Sequence, residues 1–316
     1  MNRLLLAATA LAAGLAASVA SAEITVYTAG PAKLIEKLTA GFTASTGVKV
    51  DVFQATTGKV MARLQAEAAN PVADVVISAS WGTATSMAKD GLLLAYTSPN
   101  AAKVPDFLKT DTAVAEGVSA LAIAWNPTSG TPRPADWTDL AKPDFKDLVT
   151  LPDPAKSGSM FELVSALDSA MGETIFADLA ANGAIVAGAN ADALNPVLQG
   201  AKAAVFGAVD YISLSAKAKG ESVEVIFPAS GTVVAPRPAM ILKSTRHADE
   251  AKQFIDYILS EEGQQMVADT YMMPARTDIA AKRPKIDELT LLPLDADKAY
   301  GARKETLATF AATFEK

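Results

Sequence analysis

Residues 151–160 read LPDPAKSGSM. The run before them, Leu148 to Leu151, is apolar and β-branched and stops at Pro152. Beyond the polar turn, Phe161-Glu-Leu-Val starts a helical pattern. The order is strand, loop, helix start. Ser157, Gly158 and Ser159 fall where the free backbone N–H groups of a first helical turn face outward, and such ends attract anions. Three further junctions have the same character: Tyr27-Thr-Ala-Gly30, Gln54-Ala-Thr-Thr-Gly58 and Ser78-Ala-Ser-Trp81. A plain helix cap is the alternative at each one. In an open parallel sheet, however, the carboxyl ends of the strands share an edge, so such loops converge on one crevice.

Working outward, Ile24 to Thr28 alternates as a strand, and Leu34, Ile35, Leu38 and Phe42 mark a helix that Gly47 closes. Val48 to Phe53 is a second strand, followed by a helix with Val60, Met61, Leu64 and Ala68. Ala73 to Ile77 is a continuous apolar run, as in a strand buried on both faces. This βαβ repetition predicts an α/β protein with mixed, mostly parallel sheets flanked by helices. Gly117 to Trp125 is long enough to pass from one lobe to another. The extended, proline-rich 228–238 suits a second crossing, with Ala239 to Leu242 as a further strand. Pairs of helices are expected over 160–182 and 247–268, and a last helix carries Leu307, Phe310 and Phe314.

The first 22 residues have the form of a cleaved export signal: Arg3, an apolar stretch from Leu4 to Val19, then Ala20-Ser21-Ala22. The mature chain of 294 residues then exceeds the size at which one core keeps growing, so two lobes are expected. Without residues 1–22 the 28 basic residues fall to 27, since Arg3 is lost, against 35 acidic ones, a formal net charge of −8. Nucleic acid is therefore not an expected partner. Cysteine is absent, which excludes thiolate catalysis and disulfides. No G-x-S-x-G, H-E-x-x-H, P-loop or G-x-G-x-x-G occurs, and the only histidine, His247, lies at a late helix start beside Arg246 and Asp249. No catalytic residue and no cofactor is expected. A secreted enzyme on the same fold would need a nucleophile and base that are not evident.

The segments ITVYTAG (24–30), FTASTGVKVDVF (42–53), TGKVMARLQAEAANPVADVVIS (57–78), LPDPAKSGS (151–159), AVDYIS (208–213) and AKQFIDYILSEEGQQMVA (251–268) resemble the periplasmic substrate-binding proteins of ABC importers. That family includes ferric-ion, thiamine, hexose-phosphate and 2-aminoethylphosphonate binders. The resemblance implies a type II two-lobed fold with two crossing hinge strands, closure on a solute, delivery to an inner-membrane ABC permease, and no chemistry on the solute. It places residues 23–120 with 230–275 in lobe 1 and 121–229 with 276–316 in lobe 2. A periplasmic monomer is expected, with a small anionic solute as ligand.

Carried onto this chain, the resemblance implies that Thr28, Thr57, Ser80 and Ser157 to Ser159 grip the oxygens of a phosphate or phosphonate. Asp210 and Tyr211 would meet the other end. Tyr27, Thr56, Ser78 and Trp81 fall in the same loops, and Arg237 can reach in from the second crossing. The alternative is a ferric-ion carrier using Tyr211. Ferric binders resembling this chain carry two adjacent tyrosines where it has Asp210-Tyr211-Ile212, and Fe³⁺ needs several anionic oxygen donors.

Overall fold

The computed structural model describes residues 23–172 and 174–315. The expected export signal, residues 1–22, lies outside the described residues. In chain order the strands are β1 (Glu23–Thr28), β2 (Lys49–Gln54), β3 (Val75–Ile77), β4 (Val114–Trp125), β5 (Val149–Leu151), β6 (Ile185–Val186), β7 (Ala204–Val209), β8 (Glu224–Ile226), β9 (Val234–Ile241) and β10 (Met273–Pro274). The α-helices are α1 (Ala32–Thr46), α2 (Thr57–Ala66), α3 (Trp81–Lys89), α4 (Gly158–Met171), α5 (Thr174–Ala181), α6 (Asn190–Leu198), α7 (Asp210–Ala218), α8 (Ala248–Ile258), α9 (Glu261–Asp269), α10 (Ala296–Gly301) and α11 (Arg303–Phe314).

The strands run in the order β2-β1-β3-β9-β4-β7-β5-β6, with β10 and β8 also paired to β4. The βαβ reading holds at both ends: β1 is parallel to β2 and β3, and β5 is parallel to β6 and β7. Towards the middle the ladders are antiparallel, β3 to β9, β9 to β4 and β4 to β7. The fold is thus the expected mixed α/β architecture of two lobes.

β4 joins them. All twelve of its residues are buried, which explains the long apolar run over 117–125, and Glu116 is buried with them. Its pairing changes partner along its length: Val114 to Ala120 lie against β9, and Leu121 to Trp125 against β7. The second passage is the chain between β8 and β9. The strand expected separately at 239–242 is the far half of β9, which runs through Pro236 and Pro238 without a break. Neither proline can donate to the ladder, and the register with β4 shifts between Ala115 and Val118, opposite that pair.

The helices cover the sheet as their spacing requires. Leu34, Ile35, Leu38 and Phe42 form the buried face of α1, and Gly47 ends it at φ 77° with its N–H on the Thr43 carbonyl. Trp137 anchors the loop after β4: it is fully buried, stacks against Phe206 at 4.6 Å and donates its indole N–H to the Gly231 carbonyl at 2.8 Å. The C-terminal stretch, expected wholly on the second lobe, divides. α10 packs on α3 of the first lobe, and α11 packs on α4 and α5 of the second, with Phe310 edge-on to Phe176 at 5.3 Å. Among the described residues no helix is long and apolar enough to cross a membrane.

Candidate functional site

Between the lobes lies a cleft of about 560 Å³, within the range of small-molecule sites. Five helices begin at its wall. The β1–α1 turn brings Ala29, Gly30 and Pro31. The β2–α2 loop brings Gln54 to Thr57. Lys156 to Gly158 open α4, Ala189 to Ala191 open α6, and Tyr211 and Ile212 lie in the first turn of α7. A helix start presents N–H groups with no partner inside the helix and the positive end of the dipole; at α6 and α7 a first-turn carboxylate, Asp192 and Asp210, already takes one such N–H. The charged side chains on the wall are Lys59, Lys156 and Arg237, and no carboxylate is among the described residues lining it.

Arg237 forms the floor and is 1% exposed. One terminal nitrogen donates to the Ala29 carbonyl at 3.0 Å, the other to the Tyr211 hydroxyl at 3.2 Å, so the guanidinium ties the first lobe to α7 of the second. Its Nε–H has no partner. That nitrogen is sealed from the cavity, as is the equally unmatched Glu116 Oε2 near the same charge, so Arg237 acts on an acidic oxygen in the cleft through its buried positive charge. Because Tyr211 accepts from Arg237, its own O–H is free to donate. Burial pushes the phenol above its ordinary range although Arg237 pulls the other way, so it stays protonated.

The caps add further donors. Ser157 accepts the N–H of Met160 at 3.1 Å and passes its own proton to Asn190 Oδ1 at 2.8 Å. With its oxygen so held, the amide N–H₂ of Asn190 is turned away from Ser157. Thr56 accepts the Lys59 N–H at 3.4 Å, which leaves its hydroxyl proton available.

Thr56, Thr57, Ser157, Gly158, Tyr211 and Arg237 therefore come together on the cleft wall as the sequence suggested. The remaining candidates are placed elsewhere. Tyr27 turns to the other side of β1: its hydroxyl donates to Glu67 at 2.7 Å and its ring lies against Phe53 and Arg63. Thr28 is sealed beneath the turn, its hydroxyl accepting the Gly30 N–H at 2.8 Å. Ser78 bonds Thr83 and the Ser80 N–H within its own loop. Ser159 is completely buried, one position past the wall.

Ser80 and Trp81 head α3, but that helix start is already taken. Glu162 of α4 crosses from the second lobe and accepts the Trp81 N–H at 2.8 Å. Of the four junctions, this one is filled by an internal carboxyl group. Glu162 is 3% exposed, and burial pushes its carboxyl up to about 8, against the pull of Ser80, the Trp81 N–H, Arg237 and Arg303.

Asp210 is also withdrawn. Its carboxylate accepts the Ala120 N–H at 3.0 Å and the Tyr211 N–H at 2.7 Å and pairs with Arg283, all without exposure to solvent. It pins α7 to β4 instead of meeting a ligand. His247 is half exposed, with Nδ1 3.3 Å from Asp74, and neither residue lines the cleft.

Several wall residues escaped the sequence reading. Asn190 follows a strand of only two residues, too short to give a periodic signal, although Gly188 at φ 60° marks the turn. Lys59 and Lys156 belong to the recognised junctions, but a lysine in a polar loop is indistinguishable from a solvated one until its neighbours are known.

The profile of the bacterial extracellular solute-binding proteins matches residues 70–300. The chain belongs to that family. Among relatives of known name, it is 28% identical to the phosphoglycerate transport regulatory protein PgtC of Salmonella typhimurium over 62% of this chain, spanning about half (47%) of that protein. It is 24% identical to a putative 2-aminoethylphosphonate-binding periplasmic protein of the same species, over 75% of this chain and 73% of the relative. The periplasmic binding protein P5PA superposes with a TM-score of 0.84 at 26% identity, covering 93% of this chain and all of that one. AfuA of Actinobacillus pleuropneumoniae, solved with fructose-6-phosphate, gives 0.85 at 23% identity over 93% and 98%. Iron-bound HitA of Pseudomonas aeruginosa gives 0.80 at 22% identity over 92% and 99%. At these identities the last two speak for the solute-binding fold alone.

Proposed function

We propose that this solute-binding protein captures a small phosphate- or phosphonate-bearing anion between its lobes and delivers it to an ABC permease, after export to the periplasm by its first 22 residues. The observation that carries the reading is the charge of the wall: the dipoles of α1, α2 and α4, whose first turns hold no acidic residue, and three cations, with no carboxylate among the described residues lining it, in a chain of negative net charge. Helix dipoles and buried guanidinium groups act at short range, so the local field holds an anion despite the overall charge. Relatives whose names refer to phosphoglycerate and 2-aminoethylphosphonate agree with that class. The protein performs no reaction on its cargo in this reading, and it acts as a monomer. The ferric alternative fits less well, because the one wall tyrosine is protonated and bonded to Arg237, and Fe³⁺ needs anionic oxygen donors.

Calorimetry with inorganic phosphate, sugar phosphates and phosphonates tests the proposal. Binding of at least one organic member is expected. Silence across the panel, together with a visible tyrosinate-to-iron band on adding Fe³⁺, would replace it with the ferric reading.

A further inference from the structure

The relatives leave the other half of the solute open, and the wall speaks to it. Resting on the anion reading above, we propose that the solute's second end is an oxygen acceptor or a second negative charge, and that the site rejects phosphonates and phosphates bearing an ammonium. An ammonium has three donors and no acceptor, so a site that selects it must offer a carboxylate or several free carbonyl oxygens.

No acid lines the wall among the described residues, and those near it are paired or set behind it: Asp153 pairs with Lys156, and Glu162 holds the Trp81 N–H. Asp210 is enclosed by Arg283 and two backbone N–H groups. Glu116, on β4, lies behind the β1–α1 turn, where a Cβ placed on Gly30 would come within 3.6 Å of its Oε2. It is 1% exposed, does not reach the wall, and faces the charge of Arg237.

What does reach the wall is mostly donors. Tyr211 and Thr56 have hydroxyl protons to give, and Asn190 has its amide N–H₂, because the oxygen partner of each is already engaged. Gln54 supplies the main exception: its amide nitrogen bonds the Gly30 carbonyl at 3.1 Å, leaving Oε1 as an acceptor. Lys59 on the first lobe and Lys156 on the second bring like charge towards any ammonium as the lobes close. Lys156 is partly neutralised by Asp153 at 3.1 Å; no ion pair involves Lys59 among the described residues. Specificity here comes from a repulsive element as much as from an attractive one.

A matched set separates this inference from the reading it rests on. 2-Aminoethylphosphonate, 2-hydroxyethylphosphonate and phosphonoacetate share a head group and differ at the other end, with inorganic phosphate as the head-group control. Calorimetry on the full mature chain is expected to give the hydroxyl and carboxylate compounds at least about tenfold tighter binding than the ammonium compound. In Lys59→Gln/Lys156→Gln, whose exposed side chains contribute little to folding, that ratio is expected to shrink. An ammonium compound that binds as tightly as the others overturns the inference and leaves the anion reading standing. Failure of all four to bind overturns the inference and leaves the anion reading to the sugar phosphates of the wider panel, and an unchanged ratio in the double variant overturns the electrostatic origin assigned here.

Discussion

Arg237 joins the two lobes and is the buried cation of the cleft wall, so its removal is expected to act on binding more than on folding. Arg237→Met is expected to weaken solute binding about ten- to a hundredfold, through loss of a buried charge beside the anion. The variant should still unfold cooperatively, because the nearby Glu116, pushed up to about 7 by burial, can take a proton when the guanidinium is gone. Calorimetry and thermal unfolding on the same preparation separate the two effects. Tyr27→Phe should behave in the opposite way. It loses the bond to Glu67, costs about 1 kcal/mol of stability, and leaves solute affinity unchanged. A loss of affinity there would return Tyr27 to the site. The contrast also marks what the sequence could reveal at this scale. Residue type and junction were legible at Thr57, Ser157 and Arg237. The direction of Tyr27 and the partners of Asp210 were not, because β1 and β7 are covered on both faces and alternation then carries no inside or outside.

At the scale of elements, closure depends on how near α2 and α4 can come to the facing lobe. A Cβ on Gly58 would lie 2.6 Å from the Ala155 carbonyl oxygen, and one on Gly158 would lie 3.0 Å from both the Ala79 carbonyl oxygen and Ser80 Cβ. Gly158→Ala should therefore hinder closure while leaving each lobe intact. Small-angle scattering is expected to show less compaction on adding solute, with an unfolding temperature no lower than wild type, since alanine suits a helix start at least as well in entropy. Glu162 makes closure depend on pH as well. With α4 seated against the start of α3, burial pushes the Glu162 carboxyl up to about 8; once the lobes part it is expected to leave the Trp81 N–H for water and return to the ordinary carboxylate range. The acid is thus raised in the closed state, so its contribution to closure is complete at low pH and is lost as pH rises towards about 8, by up to about tenfold per unit. Arg237, Arg303 and Ser80 face it from β9, α11 and α3 and moderate the effect. With a ligand of fixed charge, affinity should fall between about pH 5 and pH 8 in the wild type and stay level in Glu162→Gln. Elements themselves were the most legible layer: periodicity located β1 to α3 and α4 to within a few residues. It missed α10 and β6, which are only six and two residues long and too short for a period to show.

At the scale of the whole molecule, the two lobes are held by more than the two expected passages. The long, largely apolar run of β4 and the proline-rich approach to β9 announced those in the sequence. The third connection is sequential and polar and gave no such signal. After Arg283 pairs with Asp210, the chain bridges Thr232 through Leu291 and Leu292, lays α10 on α3 of the first lobe, and returns to the second lobe as α11. Tyr300 lies directly over Gly82 in α3, while Arg303, three residues on, stacks over Phe161 of α4 at 4.3 Å. A strap fixed to both lobes favours whichever relative position satisfies both attachments, the one in which α10 meets α3 while α11 meets α4 and α5. Tyr300→Ala should free the first-lobe attachment and leave α11 and its Phe310–Phe176 contact in place. In a two-state equilibrium, affinity falls in proportion to the fraction of closed protein, so the dissociation constant is expected to rise a few-fold. The ligand-free radius of gyration should increase while the solute-saturated radius matches wild type. An equal radius in both states for variant and wild type would mean that the strap follows the lobes without biasing them.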